Sequence, residues 1–211
     1  MSDLHFGRPA VPAQIEAIEK IIQDLKFDVV AISGDLSQRA RAGEFQRAAV
    51  FIRDAEKVSK TICVPGNHDV KWWKAPLGIG DREQIYDNYK AFISHDLEPV
   101  LLTPGAVFAG INTSHGVTMR TLTWNMRDIS IIGDVTSEQF DAAEEKFERA
   151  DPQDARVIVM HHNPVKGELS QRHGLKGTKK VLGRFAKMGV DLVLCGHDHQ
   201  ESVHFIEHTR K

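Results

Sequence analysis

Short strings of histidine and aspartate stand out in this chain, because imidazole and carboxylate groups are the usual nitrogen and oxygen ligands of transition metals. The string Cys-Gly-His-Asp-His at 195–199 directly follows an apolar run at 190–194. Two imidazoles on the turn that leaves a buried strand are well positioned to bind a metal ion. A single pair of this kind is weak evidence, since surface pairs and core histidines are common. The companion strings therefore decide the interpretation.

Four further strings offer ligands of the same chemical kind. They are Asp3-x-His5, Gly34-Asp35, Gly66-Asn67-His68-Asp69 and His161-His162-Asn163-Pro164. Three of the four follow apolar runs that predict buried strands, at 29–33, 61–64 and 157–160. In open α/β sheets, ligands bind outside the carboxyl ends of the strands. Five such strings at one edge predict a single metal-binding site.

The segments that must position these strings alternate between strand-like and helix-like patterns. Apolar residues recur at helical spacing before the first two strands, at Ile15, Ile18, Ile22 and Leu25 and at Phe45, Ala48, Ile52 and Ala55. Runs at 106–111 and 129–132 predict two more strands. Thr136-x-x-Gln139 predicts a capping box, opening a helix with Phe140, Ala143 and Phe147 inward. A last helix around 179–188 should close at Gly189.

Length and composition predict one sizeable domain spanning 1–211, with the apolar and charged fractions of an ordinary globular protein. The net charge of −2 provides no broad basic field, so we expect no long nucleic acid as a partner. No apolar run reaches membrane-spanning length and no leader precedes Asp3, so we expect no membrane association and a cytoplasmic location. Cys63 and Cys195 lie in apolar runs, which predicts buried thiols rather than a disulfide. Oligomeric state is not predicted.

The order and content of the five strings resemble the signature of the calcineurin-like metallophosphoesterase superfamily, which runs D-x-H, G-D, G-N-H-[DE], H and G-H-x-H. The resemblance extends from Asp3 to His199, and G-N-H-D and G-H-x-H are its most distinctive blocks. The wider strings at 2–7, 33–36, 64–69 and 160–164 look most like the bacterial branch typified by cyclic-nucleotide phosphodiesterases. The resemblance implies an α/β fold in which two mixed sheets pack face to face with flanking helices, the αββα sandwich.

It also implies a centre of two transition-metal ions, divalent or mixed-valence. Two ions roughly 3.5 to 4 Å apart suit phosphoester oxygens and need a bridging anion, a role that fits Asp35 directly after a strand and a glycine. By position in the motifs, the first metal would be held by Asp3, His5, Asp35 and His199, and the second by Asp35, Asn67, His161 and His197. Mixed nitrogen and oxygen ligands fit manganese, iron or zinc better than calcium or magnesium.

Within this family pattern, His68 and Asp69 are the predicted catalytic pair. The nucleophile would be a water or hydroxide shared by the metals. His68 would protonate the leaving oxygen or stabilise the charge of the transition state. Asp69 would fix the tautomer of His68 by a hydrogen bond. For His162, substrate contact and packing behind the ligands are equally open.

Several residues also have ordinary structural interpretations. Asn67 could cap a turn, and the adjacent Trp72 and Trp73 favour packing over stacking on a nucleotide base. His115 follows a predicted strand and could reach the site from a neighbouring loop, although a surface or core role is favoured. A surface or core role is also favoured for His95, His173, His204 and His208. A solvated position is favoured over phosphate contact for Arg39, Arg41, Lys71 and Lys74.

One departure from the family pattern concerns both ends of the chain. Only Met1 and Ser2 precede Asp3, where relatives carry a full apolar strand, and relatives commonly add further strands after the equivalent of 202–206. We therefore expect part of the first strand and of the C-terminal strands to be missing, through truncation or a misassigned start, unless this protein builds its first strand differently. A terminal segment without strand pairing tends to fray, so we expect Asp3 and His5 to be held loosely.

The leading functional hypothesis is hydrolysis of a small phosphodiester, such as a cyclic nucleotide, by a metal-dependent phosphoesterase. Phosphomonoester hydrolysis is the nearest alternative, and a nuclease of the same fold would be expected to carry a basic stripe. A scaffold that binds protein partners is the alternative from another class. Such scaffolds typically lose ligands or the histidine of G-N-H, all of which are present here.

Overall fold

The computed structural model describes residues 1–8, 10–71, 74, 82–116, 132–149, 151–165 and 174–207. Along the chain the helices and strands are α1 (Pro12–Leu25), β1 (Val29–Ser33), α2 (Ala42–Glu56), β2 (Lys60–Val64), α3 (Asp87–Phe92), β3 (Val100–Thr103), β4 (Ala106–Ile111), α4 (Ser137–Glu148), β5 (Ala155–Met160), α5 (Thr178–Lys187) and β6 (Leu192–Leu194). Short 3-10 helices occupy Asn67–Asp69 and Arg82–Tyr86. No helix among the described residues is long and apolar enough to cross a membrane.

Two sheets form the centre of the described fold. β1 and β2 pair in parallel, with Val29 opposite Lys60 and Ser33 opposite Val64. The second sheet has the order β3-β4-β5-β6, in which β3 is antiparallel to β4 and the other pairs are parallel. An apolar layer that includes Ile62, Val64 and Val159 packs between the sheets. The predicted face-to-face arrangement is confirmed.

Helices cover the outer face of each sheet, which completes the αββα sandwich. On the β1-β2 side, Phe45 and Phe51 of α2 and Tyr89 of α3 form one core. On the other side, Phe140 of α4 and Phe185 of α5 pack in a second core against β4 and β5. Removing such large apolar side chains from water is the main driving force for each layer. Because helices cover the outer face of both sheets, the loops that leave the ends of the strands remain available to form a site.

The predicted helix signals are confirmed in most positions. Gln139 N donates to Thr136 Oγ1 at 3.3 Å and Thr136 N donates to Gln139 Oε1 at 2.9 Å, which is the predicted capping box. Gly189 follows α5 with φ of 68°, and the bonds around it form a Schellman motif. Leu25 is an exception to the predicted inward face of α1, since it is 63% exposed at the last position of the helix.

The strands are confirmed where the structure describes them, with one shortened. The run predicted at 190–194 forms a strand only at Leu192–Leu194, because Val190 N is used by the helix ending and Asp191 N bonds to Arg156 O. The strand predicted at 129–132 lies almost wholly outside the described residues, as do Trp72, Trp73, His173 and His208. Gly133 makes an isolated parallel bridge to Leu175.

The expectation that the first residues fray is wrong in this structure. Met1 O accepts from Ser33 N at 2.9 Å, Asp3 N donates to Gly34 O at 3.1 Å, and His5 N donates to Asp35 O at 3.0 Å. These bonds pair residues 1–5 in parallel with the end of β1 and the loop that follows it. The short terminal segment is therefore held in place although it forms no long strand. At the other end, residues 200–207 form no strand, and Phe205 is 94% exposed.

Candidate metal centre

The predicted ligands lie on loops that leave the strands at one edge, and the backbone of these loops is unusual. Five of the ligands adopt a positive φ, a conformation that few residues other than glycine take up. They are Asp3 (57°), His5 (44°), Asp35 (53°), His197 (77°) and His199 (51°). Such strain persists only where the surrounding structure imposes it, and it is concentrated at functional sites. Here the positive φ of these residues directs their side chains toward one another.

The first group of converging side chains consists of Asp3, His5 and His199. His5 Nε2 lies 3.3 Å from His199 Nε2, and Asp3 Oδ1 lies 3.5 Å from His199 Nε2 and 3.8 Å from His5 Nε2. Asp3 Oδ1 is buried with no hydrogen-bond partner among the described residues. A buried carboxylate oxygen without a donor is costly unless it faces a cation, so this group fits a metal ion.

The second group consists of Asn67, His161 and His197. Asn67 Oδ1 lies 2.9 Å from His161 Nε2 and 3.0 Å from His197 Nδ1, and the two ring nitrogens are 3.3 Å apart. His161 Nδ1 donates to Ser33 O at 2.9 Å, which leaves Nε2 to face the group. A histidine ligand held by a bond from its other nitrogen is typical of metal sites. The amide of Asn67 therefore points into the site rather than capping a turn.

Asp35 lies between the two groups. Its Oδ2 is 3.7 Å from His5 Nε2 in the first group and 3.4 Å from His161 Nε2 in the second. Its Oδ1 accepts from His68 N at 2.9 Å, and the residue is 1% exposed. A fixed carboxylate in this position can serve both groups at once. That is the geometry expected of a bridging ligand.

The charges in the centre are strongly coupled. Burial acts to raise the pKa of Asp35, but the adjacent His161 outweighs burial and holds that pKa below its ordinary value. Burial acts to lower the pKa of His161, and Asp35 outweighs it, raising the pKa to about 9. Burial, followed by His161, lowers the pKa of His197 to about 4. A cation bound here would take the place of the proton on His161, because metal ligands must be deprotonated.

Asp69 does not have the predicted contact with His68. Its carboxylate instead accepts from Leu36 N (3.1 Å), Ser37 N (2.7 Å), Ser37 Oγ (2.8 Å) and Gly66 N (2.9 Å). His68 Nδ1 instead lies 2.9 Å from the main-chain oxygen of Gln38. The prediction that Asp69 fixes the tautomer of His68 by a direct hydrogen bond is therefore wrong. Four donors aimed at one buried carboxylate make it a link between the loops after β1 and β2.

The model of the calcineurin-like phosphoesterase family matches residues 1–201 of this chain. The chain belongs to that family. Among solved structures, the purple acid phosphatase PPD1 from yellow lupin (Lupinus luteus) seeds aligns with a TM-score of 0.61 at 15% identity, over 88% of this chain and 33% of that one. A second structure aligns with a TM-score of 0.54 at 12% identity, over 93% of this chain and 82% of that one.

At these identities the two structures show a shared fold. The chain spans only 33% of the length of the lupin phosphatase. The sulfate thiohydrolase SoxB from Thermus thermophilus, in complex with glycerol, aligns with a TM-score of 0.44 at 14% identity, over 90% of this chain and 34% of that one. No curated protein matches this chain in sequence.

For a calcineurin-like phosphoesterase, the centre has the expected kind of donors. The structure brings together all seven predicted ligands, and their histidine and aspartate groups could hold metal ions. The ring of His68 lies beside this centre, with its centroid 4.8 Å from that of His5.

His162 and His115 lie in different places. His162 is 1% exposed, its Nδ1 lies 2.7 Å from Thr113 Oγ1, and its ring centroid is 4.7 Å from that of His197. One of its ring nitrogens also lies within 4.8 Å of ring nitrogens of His161 and His197, so His162 adjoins the second group of predicted ligands. His115 Nε2 lies 3.2 Å from Gln139 Oε1, at the start of α4. This contact places His115 beside the capping box of α4.

Sequence reasoning did not identify the groups that hold the ligands. Ser33 O and Gln38 O are main-chain atoms, which every residue carries, so no residue type could have indicated them. Asn163 Nδ2 donates to Asp198 Oδ2 at 2.8 Å and links the loops after β5 and β6. Both residues are inside the motif strings, and their polarity beside predicted ligands was the available signal.

Proposed function

We propose that this calcineurin-like phosphoesterase hydrolyses phosphoesters at a two-metal centre. The observation that carries the proposal is the position of Asp35 Oδ2, within 3.7 Å of His5 Nε2 on one side and 3.4 Å of His161 Nε2 on the other. A carboxylate between two groups of nitrogen and oxygen donors suits a pair of cations better than one.

The two ligand sets share Asp35. Asp3, His5 and His199 would hold the first ion with Asp35, and Asn67, His161 and His197 the second. The donors are imidazole nitrogens with carboxylate and amide oxygens, a mixture that favours manganese, iron or zinc over calcium or magnesium. When bound, the ions would lower the pKa of a shared water and neutralise charge on the phosphoryl group.

Protein groups would complete the reaction. His68 adjoins the centre through its main-chain bond to Asp35 Oδ1 and its ring contact with His5. We assign it the transfer of a proton to the leaving oxygen, or stabilisation of the charge that develops there. The buried Asp35 and His161 would exclude bulk water from one side of the centre, and His199, whose side chain is 60% exposed, lies on the open side.

The substrate we propose is a small phosphodiester, with a cyclic nucleotide as the leading example. The support is the sequence of the strings at 33–36, 64–69 and 160–164, which look like those of bacterial cyclic-nucleotide phosphodiesterases. The net charge of −2 argues against a long nucleic acid. Phosphomonoesters are the alternative to be tested alongside.

The test is a substrate panel combined with metal analysis. Wild type is incubated with manganese, zinc or iron(II) and assayed on cyclic nucleotides, bis-aryl phosphodiesters and aryl phosphomonoesters, and bound metal is counted by mass spectrometry. We expect close to two ions per chain and the highest kcat/KM on a diester. Asp35→Asn should lose at least one ion and nearly all turnover, because the shared ligand is weakened. Asp141→Asn, which alters a 71% exposed carboxylate in α4, is the matched control.

The outcomes separate the hypotheses. A higher kcat/KM on monoesters would replace the diesterase assignment with a phosphomonoesterase. An absence of bound metal after reconstitution, with no turnover on any ester, would favour the scaffold hypothesis. Equal metal content in wild type and Asp35→Asn would show that Asp35 does not bridge.

A further inference from the structure

The ring of His68 is oriented by a main-chain carbonyl. His68 Nδ1 lies 2.9 Å from Gln38 O. A carbonyl oxygen can only accept a hydrogen bond, so Nδ1 must carry the proton whether the ring is neutral or charged. Nε2 is then the ring nitrogen left for a substrate. The position of Gln38 O thus decides which nitrogen of His68 can take part in proton transfer.

One end of the loop that carries this carbonyl is fixed by a buried serine. Ser37 is 0% exposed, and its Oγ lies 2.8 Å from Asp69 Oδ1 and 3.1 Å from Ala40 N. Asp69 is an acceptor, so the hydroxyl donates to Asp69 Oδ1, with His68 O as a second acceptor at 3.1 Å, and accepts from Ala40 N. Ala40 has φ of 51°, a costly conformation for alanine, and it turns the chain sharply after Gln38. The turn therefore depends on the hydroxyl of Ser37.

The other end of the loop is fixed from the helices. Glu44 Oε2, in the first turn of α2, accepts from Arg39 N at 2.8 Å and from Arg41 N at 3.2 Å. Asn88 Nδ2, in α3, donates to Ala40 O at 2.7 Å. Main-chain groups on both sides of Gln38 are thus held by side chains, while the carbonyl of Gln38 is directed at His68. Neither Glu44 nor Asn88 is close to a motif string in sequence.

We propose that the loop 37–41 is a positioning device for His68, with Ser37 and Glu44 as its positioning residues. The loop holds Gln38 O where it fixes the orientation and tautomer of the His68 ring. Asp69 acts through Ser37 rather than on His68 directly. The proposal rests on the function proposed above, in which His68 transfers a proton to the leaving oxygen.

A device that orients a proton donor differs from a loop that only stabilises the fold. A poor leaving group needs protonation as its bond breaks, whereas a good leaving group needs little help. Loss of orientation should therefore slow poor substrates selectively. General destabilisation or weaker metal binding would slow both substrates alike.

The experiment compares two esters of the same phosphate, one with a phenyl and one with a 4-nitrophenyl leaving group, using zinc-loaded protein. For Ser37→Ala and for Glu44→Ala we expect kcat on the phenyl ester to fall about 10-fold or more, and kcat on the nitrophenyl ester to change by less than about 3-fold. KM and metal content should be unchanged. Glu44→Gln keeps an acceptor oxygen and should restore the phenyl rate.

Ser59→Ala is the control for the loss of a buried serine hydroxyl. Ser59 is 8% exposed, and its Oγ has no hydrogen-bond partner among the described residues. Its replacement should leave both rates unchanged. If Ser37→Ala does not fold, the pair Glu44→Ala and Glu44→Gln carries the test alone, since Glu44 lies in the first turn of α2 outside the core.

A second measurement reports the tautomer directly. Nitrogen-15 NMR of histidine-labelled, zinc-loaded protein at mildly alkaline pH should show His68 with its proton on Nδ1, assigned by loss of that signal in His68→Ala. Ser37→Ala should give a mixture of tautomers. A wild-type ring protonated on Nε2, or equal losses on the two esters, would overturn the proposal. If wild type hydrolyses no phosphoester, the proposed function fails, and the spectrum still decides the tautomer.

Discussion

At the scale of single residues, neighbouring side chains of one motif have separate tasks. In the string 66–69, the amide of Asn67 faces His161 and His197, the ring of His68 faces the centre, and the carboxylate of Asp69 faces away to bind the loop after β1. The tight turn of the short 3-10 helix Asn67–Asp69 directs three consecutive side chains to three different places. Substitutions at adjacent positions should therefore have different consequences.

His68→Ala should keep its metal ions and lose most turnover, because His68 is assigned to the leaving group and not to coordination. The expected fall in kcat is about 100-fold to 10,000-fold, the usual contribution of a general acid. The measurements are kcat on a phosphodiester and metal content by mass spectrometry. His95→Ala, at an exposed position, is the control and should match wild type. Loss of one ion from His68→Ala would instead make His68 a ligand.

At the scale of elements, the centre depends on how closely the loops after β1 and β2 approach each other. An added Cβ at Gly66 would overlap both the carboxylate and the main-chain nitrogen of Asp35. Only glycine leaves space for this approach. The same two loops are joined by the carboxylate of Asp69, whose pKa is raised to about 6, first by burial and then by Asp35. The spacing of β1 and β2 therefore sets the position of Asp35, the proposed bridging ligand.

Gly66→Ala should displace Asp35, because the added methyl group would overlap the main chain of Asp35. A main chain cannot move aside as the end of a flexible side chain can. We expect a loss of about 1 to 3 kcal/mol in the free energy of unfolding of the metal-free protein, the usual range for overpacking. We also expect weaker metal binding. Urea unfolding and metal titration measure the two effects.

The matched control is Gly183→Ala in the middle of α5, where an added Cβ would meet nothing within 4 Å. It should raise stability by up to about 1 kcal/mol, because alanine is the better helix former. Normal metal affinity in Gly66→Ala would show that the loops can separate without moving Asp35.

At the scale of the whole molecule, two helix-covered sheets form a rigid support, and the centre ties their edges together. His161 follows β5 in one sheet, and its Nδ1 bonds to Ser33 O at the end of β1 in the other. Cations bound to these loops should therefore stabilise the fold as a whole. That residues 1–211 form a single domain remains a prediction.

Metal loading should raise the melting temperature with the logarithm of metal concentration. A ligand at 100 times its dissociation constant adds about 2.7 kcal/mol to the free energy of unfolding. Calorimetry with manganese or zinc measures the shift, and calcium should give a smaller one because it favours all-oxygen sites. Asp35→Asn should lose most of the shift, whereas Asp141→Asn should keep it. An unchanged melting temperature at saturating metal would contradict the proposed centre.

The cores and the C-terminal segment should respond very differently to truncation of a phenylalanine. Phe185 in α5 is 3% exposed and packs with Phe140, so Phe185→Ala should cost about 3 to 5 kcal/mol. Phe205 is 94% exposed, so Phe205→Ala should change stability by less than about 0.5 kcal/mol. Urea unfolding of the two variants provides the comparison. A large loss for Phe205→Ala would mean that residues 200–207 are packed in solution.

The sequence by itself predicted the candidate ligands and their order, because four of the five strings place a metal-binding side chain after a strand-like run and all five follow the motif order of the family. It also predicted the type of several elements, since the period of apolar residues distinguishes helix from strand at 29–33, 45–55 and 106–111. These features are local, and a chain segment expresses them without its tertiary partners.

Only the tertiary structure decided which atoms hold the site together. The bond from His161 to Ser33 O spans 128 residues, and the bond from His68 to Gln38 O spans 30. Both acceptors are main-chain carbonyls, which residue types do not reveal. The direction of Asp69, the pairing of residues 1–6 and the exposure of Leu25 likewise followed from packing. Local patterns specify what a segment offers, whereas long-range contacts decide where each polar group is satisfied.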